Sequence, residues 1–115
     1  LAAFNLNARC IITPTMSGAT ARVVSNLKPR QPILGITPDD RTLRRMSIYW
    51  GVIPMRSITH QTVEDIFSGA IELAQAKQYV DSGDIVVITA GIPSSNIKMS
   101  LREGDSNMMR IARVE

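Results

Sequence analysis

Four short apolar runs punctuate the chain: Cys10-Ile11-Ile12-Thr13, Pro32-Ile33-Leu34-Gly35-Ile36-Thr37, Val52-Ile53-Pro54-Met55 and Asp84-Ile85-Val86-Val87-Ile88-Thr89. The last is continuously apolar and β-branched rather than alternating. That is the pattern of a strand covered on both faces, as in a parallel sheet between helices. Segments with helical spacing lie between the runs. A helix over Ser17 to Leu27 is predicted to stop before Lys28-Pro29-Arg30-Gln31-Pro32, where prolines forbid continuation. A second, Asp39 to Trp50, is predicted to stop at Gly51, a natural left-handed terminator. Before it, Thr37 with Asp40 three residues later resembles a capping box, with Pro38 at the first helical position. A third, Thr62 to Val80, places Val63, Ile66, Phe67, Ala70, Ile71 and Ala74 on one side. Its first turn holds Glu64 and Asp65 and its last Lys77, the polarity a helix dipole favours. In Met108 to Val114, apolar residues alternate with Arg110 and Arg113, which reads as an antiparallel edge strand. The order predicts an α/β fold: a three-layer α/β/α sandwich with a mostly parallel sheet of about five strands.

Composition sets the bounds on this picture. A length of 115 residues, 44% of them hydrophobic, suits a single domain over 1–115 with a real core. No stretch approaches the roughly 18 apolar residues of a membrane span, so no membrane partner is expected. The single cysteine, Cys10, excludes an internal disulfide and sits in an apolar run, as a buried inert thiol would. A reducing, cytoplasmic setting follows. The net charge of +3 gathers around Arg41, Arg44 and Arg45, next to Asp39 and Asp40. We read this cluster as a solvated helix face. None of the five aromatics falls inside it, and no nucleic-acid partner is expected. The opening residues, Leu1 to Leu6, look like the tail of a helix, which suggests a piece of a longer protein.

Candidate chemistry concentrates after the first strand. In an open parallel sheet, ligands gather beyond the carboxyl ends of the strands. There Pro14 leads into Thr15-Met16-Ser17-Gly18-Ala19-Thr20 and then a helix. Three hydroxyls and a glycine stand where backbone amides are unpaired and the helix dipole is positive, which makes a ready anion cradle. Gly18 admits close approach of a phosphate, and Thr15, Ser17 and Thr20 can donate to it. No lysine completes a nucleoside-triphosphate loop. The residues alone support plain helix capping by Thr15 or Ser17 equally well. Thr37-Pro38-Asp39-Asp40 reads as structural, because its carboxylates would repel an anion. A long polar loop, Gly91 to Asn107, should overhang the same edge. Its Ser94 and Ser95 are candidates for a second ligand contact, with Lys98 and Arg102 nearby.

A catalytic constellation is not expected. His60, the only histidine, has no partners at metal-ligand spacing. Ser17-Gly18 lacks the flanking glycines of a nucleophile elbow. Asp39 and Asp40 are adjacent and tend to point apart.

Thr15-Met16-Ser17-Gly18-Ala19-Thr20-Ala21, followed by Lys28-Pro29-Arg30-Gln31-Pro32-Ile33, resembles the C-terminal domain of the pyruvate kinase family. The likeness continues through Ile36-Thr37-Pro38, Trp50-Gly51-Val52-Ile53-Pro54, Ser82 to Gly91 and Asn107-Met108-Met109-Arg110-Ile111, in a bacterial style. The last loop is longer than the family's and ends in Ser106-Asn107. The resemblance implies a parent enzyme that transfers phosphate from phosphoenolpyruvate to ADP. It would use magnesium and potassium in a barrel domain, with no cofactor and no catalytic residue in this part. It further implies that Thr15 to Thr20 holds the phosphate of a sugar-phosphate or nucleotide effector, and that the domain helps to form a homo-oligomer. A structural self-association domain, with the loop only a helix cap, remains the second reading.

Overall fold

The computed structural model describes residues 7–91 and 107–115. The expected helical tail at Leu1 to Leu6, and the loop residues Ser94, Ser95, Lys98 and Arg102, lie outside the described residues. Elements follow in the order β1 (Cys10–Pro14), α1 (Ala19–Asn26), β2 (Ile33–Thr37), α2 (Asp40–Met46), β3 (Val52–Arg56), α3 (Val63–Ala76), β4 (Ile85–Gly91) and β5 (Asn107–Arg113). They form one five-stranded sheet in the order β3-β2-β1-β4-β5. The pairs β1–β2, β2–β3 and β1–β4 are parallel, and β4–β5 is antiparallel. The α/β fold, the mostly parallel sheet and the reversed last strand are as the sequence pattern predicts.

The side-chain alternation of the strands divides the core in two. Cys10, Ile12, Leu34, Ile36, Val86 and Ile88 point to one face and meet Phe67, Ala70 and Ala74 of α3. Ile11, Ile33 and Val87 point to the other, where Val24 of α1 covers them. Because β1, β2 and β4 are buried on both faces, their apolar runs are unbroken. Cys10 is fully buried, as expected, and its desolvation pushes the thiol up to about 12, with the Asp84 charge adding to the effect. β5 is fastened to α3 by Arg110, which pairs with Glu64 at 2.7 Å and lies over the Phe67 ring at 4.4 Å. The hydrogen bond from Arg110 is the main reason the Glu64 carboxyl titrates below its ordinary range.

All three helices are shorter than their periodicity predicts, each for a local reason. α3 stops at Ala76 rather than Val80. Gln78 takes the left-handed conformation (φ 67°), Tyr79 N–H donates to Ala74 C=O, and Gln78 N–H to Gln75 C=O. That is a Schellman ending without its usual glycine. α1 ends similarly at Lys28 (φ 49°), whose amide donates to Ser25 C=O before Pro29, which has no amide to offer. α2 ends at Met46 rather than Trp50. Beyond it the chain tightens into three-residue turns, with Ser47, Ile48 and Tyr49 amides donating to Arg44, Arg45 and Met46 carbonyls. Gly51 does adopt the left-handed conformation (φ 71°), but it follows those turns rather than the helix itself.

The placement of α2 depends on a missing side chain. Met46 is fully buried against Gly35, in the middle of β2. A Cβ at position 35 would lie 2.6 Å from the Met46 sulfur and 3.0 Å from Val52 Cγ1. α2 therefore rests directly on backbone. Gly35→Ala is expected to lose about 1–2 kcal/mol in urea unfolding, because overpacking forces Met46 off its rotamer. The loss should shrink when Met46→Ala is the background, as the two residues share one space.

Candidate functional site

The strand order reverses at β1, which has β2 on one side and β4 on the other. The loop that leaves β1 therefore sits at the topological switch point of the sheet, where open α/β folds place ligands. Its first residue is locked in place. Thr15 is buried, and its amide donates to Ile36 C=O at 2.8 Å. From Met16 onward the chain turns away from the sheet, and Met16 and Ser17 are exposed.

The hydroxyls act as acceptors inside the loop. Thr15 Oγ1 accepts from the Gly18 amide at 3.0 Å, and Ser17 Oγ from the Ala19 amide at 3.2 Å. Neither is the N-cap of α1. Gly18 occupies that position with φ 88°, and no side chain caps it. The expected capping role of Thr15 or Ser17 is thus displaced: each ties down one amide at the entry to the helix. The amides of Ser17, Thr20 and Ala21 have no acceptor among the described residues. They stand at the positive end of α1, whose first turn holds no acidic residue. Thr20 is half-buried in this turn.

α2 holds the loop from the side. Thr42 Oγ1 donates to Met16 C=O at 2.6 Å, and Arg45 Nη1 donates to Ser17 C=O at 2.8 Å. Gly18 lies within reach of α2 as well, for a Cβ there would come 3.4 Å from Thr42 and 3.5 Å from Met46. Every described peptide is trans, so each carbonyl points opposite to the amide of the next residue. With the Met16 and Ser17 carbonyls turned toward α2, the Ser17 amide faces away from it, and the Gly18 amide turns onto Thr15. The Arg cluster is therefore more than a solvated face, since Arg45 braces the loop. The sequence carries no local sign of this contact, which joins residues 28 positions apart.

The second loop is structural, as expected, but with a different cap. Asp39, not Thr37, is the N-cap of α2, and its carboxylate accepts from the Arg41 amide at 2.8 Å and the Thr42 amide at 3.0 Å. Thr37 instead accepts from the Asp39 amide at 3.2 Å. Proline at position 38 presets the turn, and the side chain one residue nearer the helix reaches the orphan amides. Asp40 pairs with Arg56 at the end of β3. His60 packs on Gly69 of α3. Among the described residues no group of three or more His, Cys, Asp or Glu comes together as a metal site would require. An open depression at the opposite edge of the sheet, near Arg9, Arg30 and Asp84, shares no residue with the loop.

An α/β domain with an amide-lined loop at its switch point is thus the class that the geometry defines. Residues 1–112 match the family model described as pyruvate kinase, alpha/beta domain. The chain is similar to the pyruvate kinase of Clostridium acetobutylicum, 36% identical over 114 residues, covering 99% of this chain and 23% of that protein. It is also similar to that of Staphylococcus epidermidis, 36% identical over 109 residues, 95% of this chain and 18% of that protein. Among solved structures, Cryptosporidium parvum pyruvate kinase in complex with ADP superposes with a TM-score of 0.77 at 30% identity, over 99% of this chain and 22% of the other. The chain belongs to the pyruvate kinase alpha/beta domain family, and it spans about a fifth of the length of the relatives it matches. No helix among the described residues is long and apolar enough to cross a membrane.

The Asp39 cap gives a pH signature. The amide of Thr42 is the main reason the Asp39 carboxyl titrates below its ordinary range, with further help from the Arg41 amide and the charges of Arg41 and Arg45. A carboxyl whose folded pKa is lowered stabilises fully above its unfolded value of roughly 3.9, and that contribution disappears as pH falls through the folded value. Asp39→Ala should therefore lower the melting temperature at neutral pH. Melts repeated downward in pH should show the difference from the parent chain closing below about pH 4.

Proposed function

We propose that residues 1–115 are the regulatory domain of a pyruvate kinase and that Thr15, Met16, Ser17, Gly18, Ala19 and Thr20 hold the phosphate of a small-molecule effector, a sugar phosphate or a nucleotide. The observation that carries this reading is the pair of unpaired amides at exposed Ser17 and half-buried Thr20, at the positive end of α1. Backbone amides converging at a helix start bind phosphate through hydrogen bonds and through the field of the helix dipole together. Gly18 takes the left-handed conformation (φ 88°) that starts α1 here, and the side where a Cβ would stand faces Thr42 of α2 at 3.4 Å. In this reading the Thr20 hydroxyl adds a donor beside the Thr20 amide.

The parent's reaction, phosphate transfer from phosphoenolpyruvate to ADP, is assigned to the part of the polypeptide beyond this domain. Magnesium and potassium belong to that part too. The domain's own contribution is binding. An effector held here stabilises whichever arrangement of the parent presents the loop in its binding-ready form, and it shifts the population by its differential affinity. We assign the parent to the cytoplasm, in keeping with a buried, unpaired thiol.

A second reading, self-association, has its own support. β5 is an outer strand of the sheet, and Met109 and Ile111 on it are half exposed. Outer strands with exposed apolar residues are ready surfaces for pairing with another copy. Sedimentation at several concentrations tests this reading, which a strict monomer would refute.

Titration with fructose bisphosphate, ribose phosphate, glucose phosphate and AMP tests the effector reading. At least one is expected to bind at millimolar concentration or below and to shift the amide resonances of Ser17 to Ala21. At a ligand concentration of about 100 Kd, stability should rise by about 2.7 kcal/mol. Gly18→Ala and Thr20→Ala should each weaken binding about tenfold, the worth of one good hydrogen bond or one conformational misfit. Silence from all four ligands at millimolar levels would refute effector binding.

A further inference from the structure

We propose that Ser47 is a phosphate acceptor for an arginine-directed serine/threonine protein kinase, and that the phosphoryl group loosens the turn through which α2 braces the loop after β1. Arg44 and Arg45 stand three and two residues before Ser47, Arg41 stands six before it, and Ile48 follows it. Kinases of this class read such a pattern by charge, with carboxylates in the substrate groove for the arginines and an apolar pocket for the residue after the acceptor. No other serine or threonine of the chain has arginines at both of those nearer positions. Ser25, with Arg22 three residues before it, is buried and donates to Trp50 C=O. The fold presents the Ser47 pattern outward. Arg44, Arg45 and Ser47 are exposed, and Ile48 is 81% exposed, the highest value among the large apolar side chains of the described residues. Buried Met46 occupies the position between the arginines and the acceptor, where the pattern asks for no particular side chain. Arg44 forms no ion pair among the described residues.

A kinase must draw this stretch out of its turns, and little holds it there. α2 is only seven residues long. Beyond it the Ser47, Ile48 and Tyr49 amides donate to the Arg44, Arg45 and Met46 carbonyls at 3.2, 3.4 and 3.1 Å, at the long end of the hydrogen-bond range. Exposed helix ends of this kind open locally at small cost. Ser47 Oγ then attacks the γ-phosphorus of ATP. The Oγ–P bond forms as the bond from that phosphorus to the β,γ-bridging oxygen breaks, ADP leaves, and the hydroxyl proton passes to the kinase's catalytic carboxylate. In the unmodified chain that hydroxyl donates to Arg44 C=O at 2.6 Å. The phosphoester has no such proton. It also brings a charge of about −1.5 to −2 to the carbonyl end of α2, where the helix dipole disfavours an anion. The turn that Ser47 closes is therefore weakened from both sides. Arg45, whose carbonyl accepts from Ile48, lies in that turn, and its bond to Ser17 C=O is the contact that the weakening releases.

The test incubates the 115-residue chain with magnesium ATP and the catalytic subunit of cyclic-AMP-dependent protein kinase, the arginine-directed probe. About one phosphate per chain is expected, mapped to Ser47 by fragment masses. Ser47→Ala should abolish its incorporation, and Arg44→Gln should slow it about tenfold, because one charge-assisted contact with the kinase is lost. The amide resonances of Ser17 and Gly18 should move in the phosphorylated chain and stay in place in Ser47→Ala treated alongside. No incorporation, or incorporation that Ser47→Ala leaves intact, overturns the site. Should Ser47→Ala fail to fold, Arg44→Gln decides the question, since a variant modified as fast as the parent chain overturns recognition through the arginines. Phosphate on Ser47 with unmoved Ser17 and Gly18 resonances overturns the coupling to the loop.

Discussion

The contact between Met46 and Gly35 is the constraint on which the rest of this edge of the molecule depends. A helix packs against a sheet at a distance set by the side chains between them. At position 35 there is none on the sheet side, so the Met46 sulfur occupies space a Cβ would need. α2 settles close to β2 and β3. From there Thr42 and Arg45 reach the carbonyls of Met16 and Ser17. The geometry of the loop after β1 is therefore set partly by a glycine in the middle of a neighbouring strand.

The loop shows how a short run of chain becomes polar in one direction. Its Met16 and Ser17 carbonyls turn to α2, two of its amides turn to the Thr15 and Ser17 hydroxyls, and the Ser17 amide faces away from α2. None of these bonds is strong alone, for each exchanges a contact with water for one within the protein. Their effect is on direction. The two edges of the sheet differ accordingly. The carboxyl ends of the strands carry the loop and the cap of α2. The amino ends carry the left-handed turns at Lys28, Gly51 and Gly83 that return the chain to the sheet.

Much of the architecture was legible because burial on both faces leaves an unmistakable trace. Ile11-Ile12, Ile33-Leu34 and Val86-Val87-Ile88 are continuous because successive residues enter different cores, and the two cores have different helices over them. The alternation of Met108 to Val114 with Arg110 and Arg113 marked β5 as an outer strand for the same reason in reverse. Helix ends were less legible. Gln78 and Lys28 adopt a conformation that glycine usually provides, and nothing in their chemistry announces it. The cap at Asp39 rather than Thr37 was a choice between two good capping residues, settled by which oxygen the chain's path brought to the free amides.

The sequence by itself determined the class of fold, the order of its elements, the inert setting of Cys10 and the family, because each is written in local periodicity or in motifs of contiguous residues. It also singled out the loop at Thr15 to Thr20, the stretch for which anion binding is proposed. Only the tertiary structure decided which groups in that loop face outward and which neighbour braces them. Those outcomes depend on contacts between residues far apart in the chain, such as Gly35 with Met46 and Ser17 with Arg45. Spacing along a helix can place Arg45 on a face, but what that face meets is set by how closely the helix lies on the sheet.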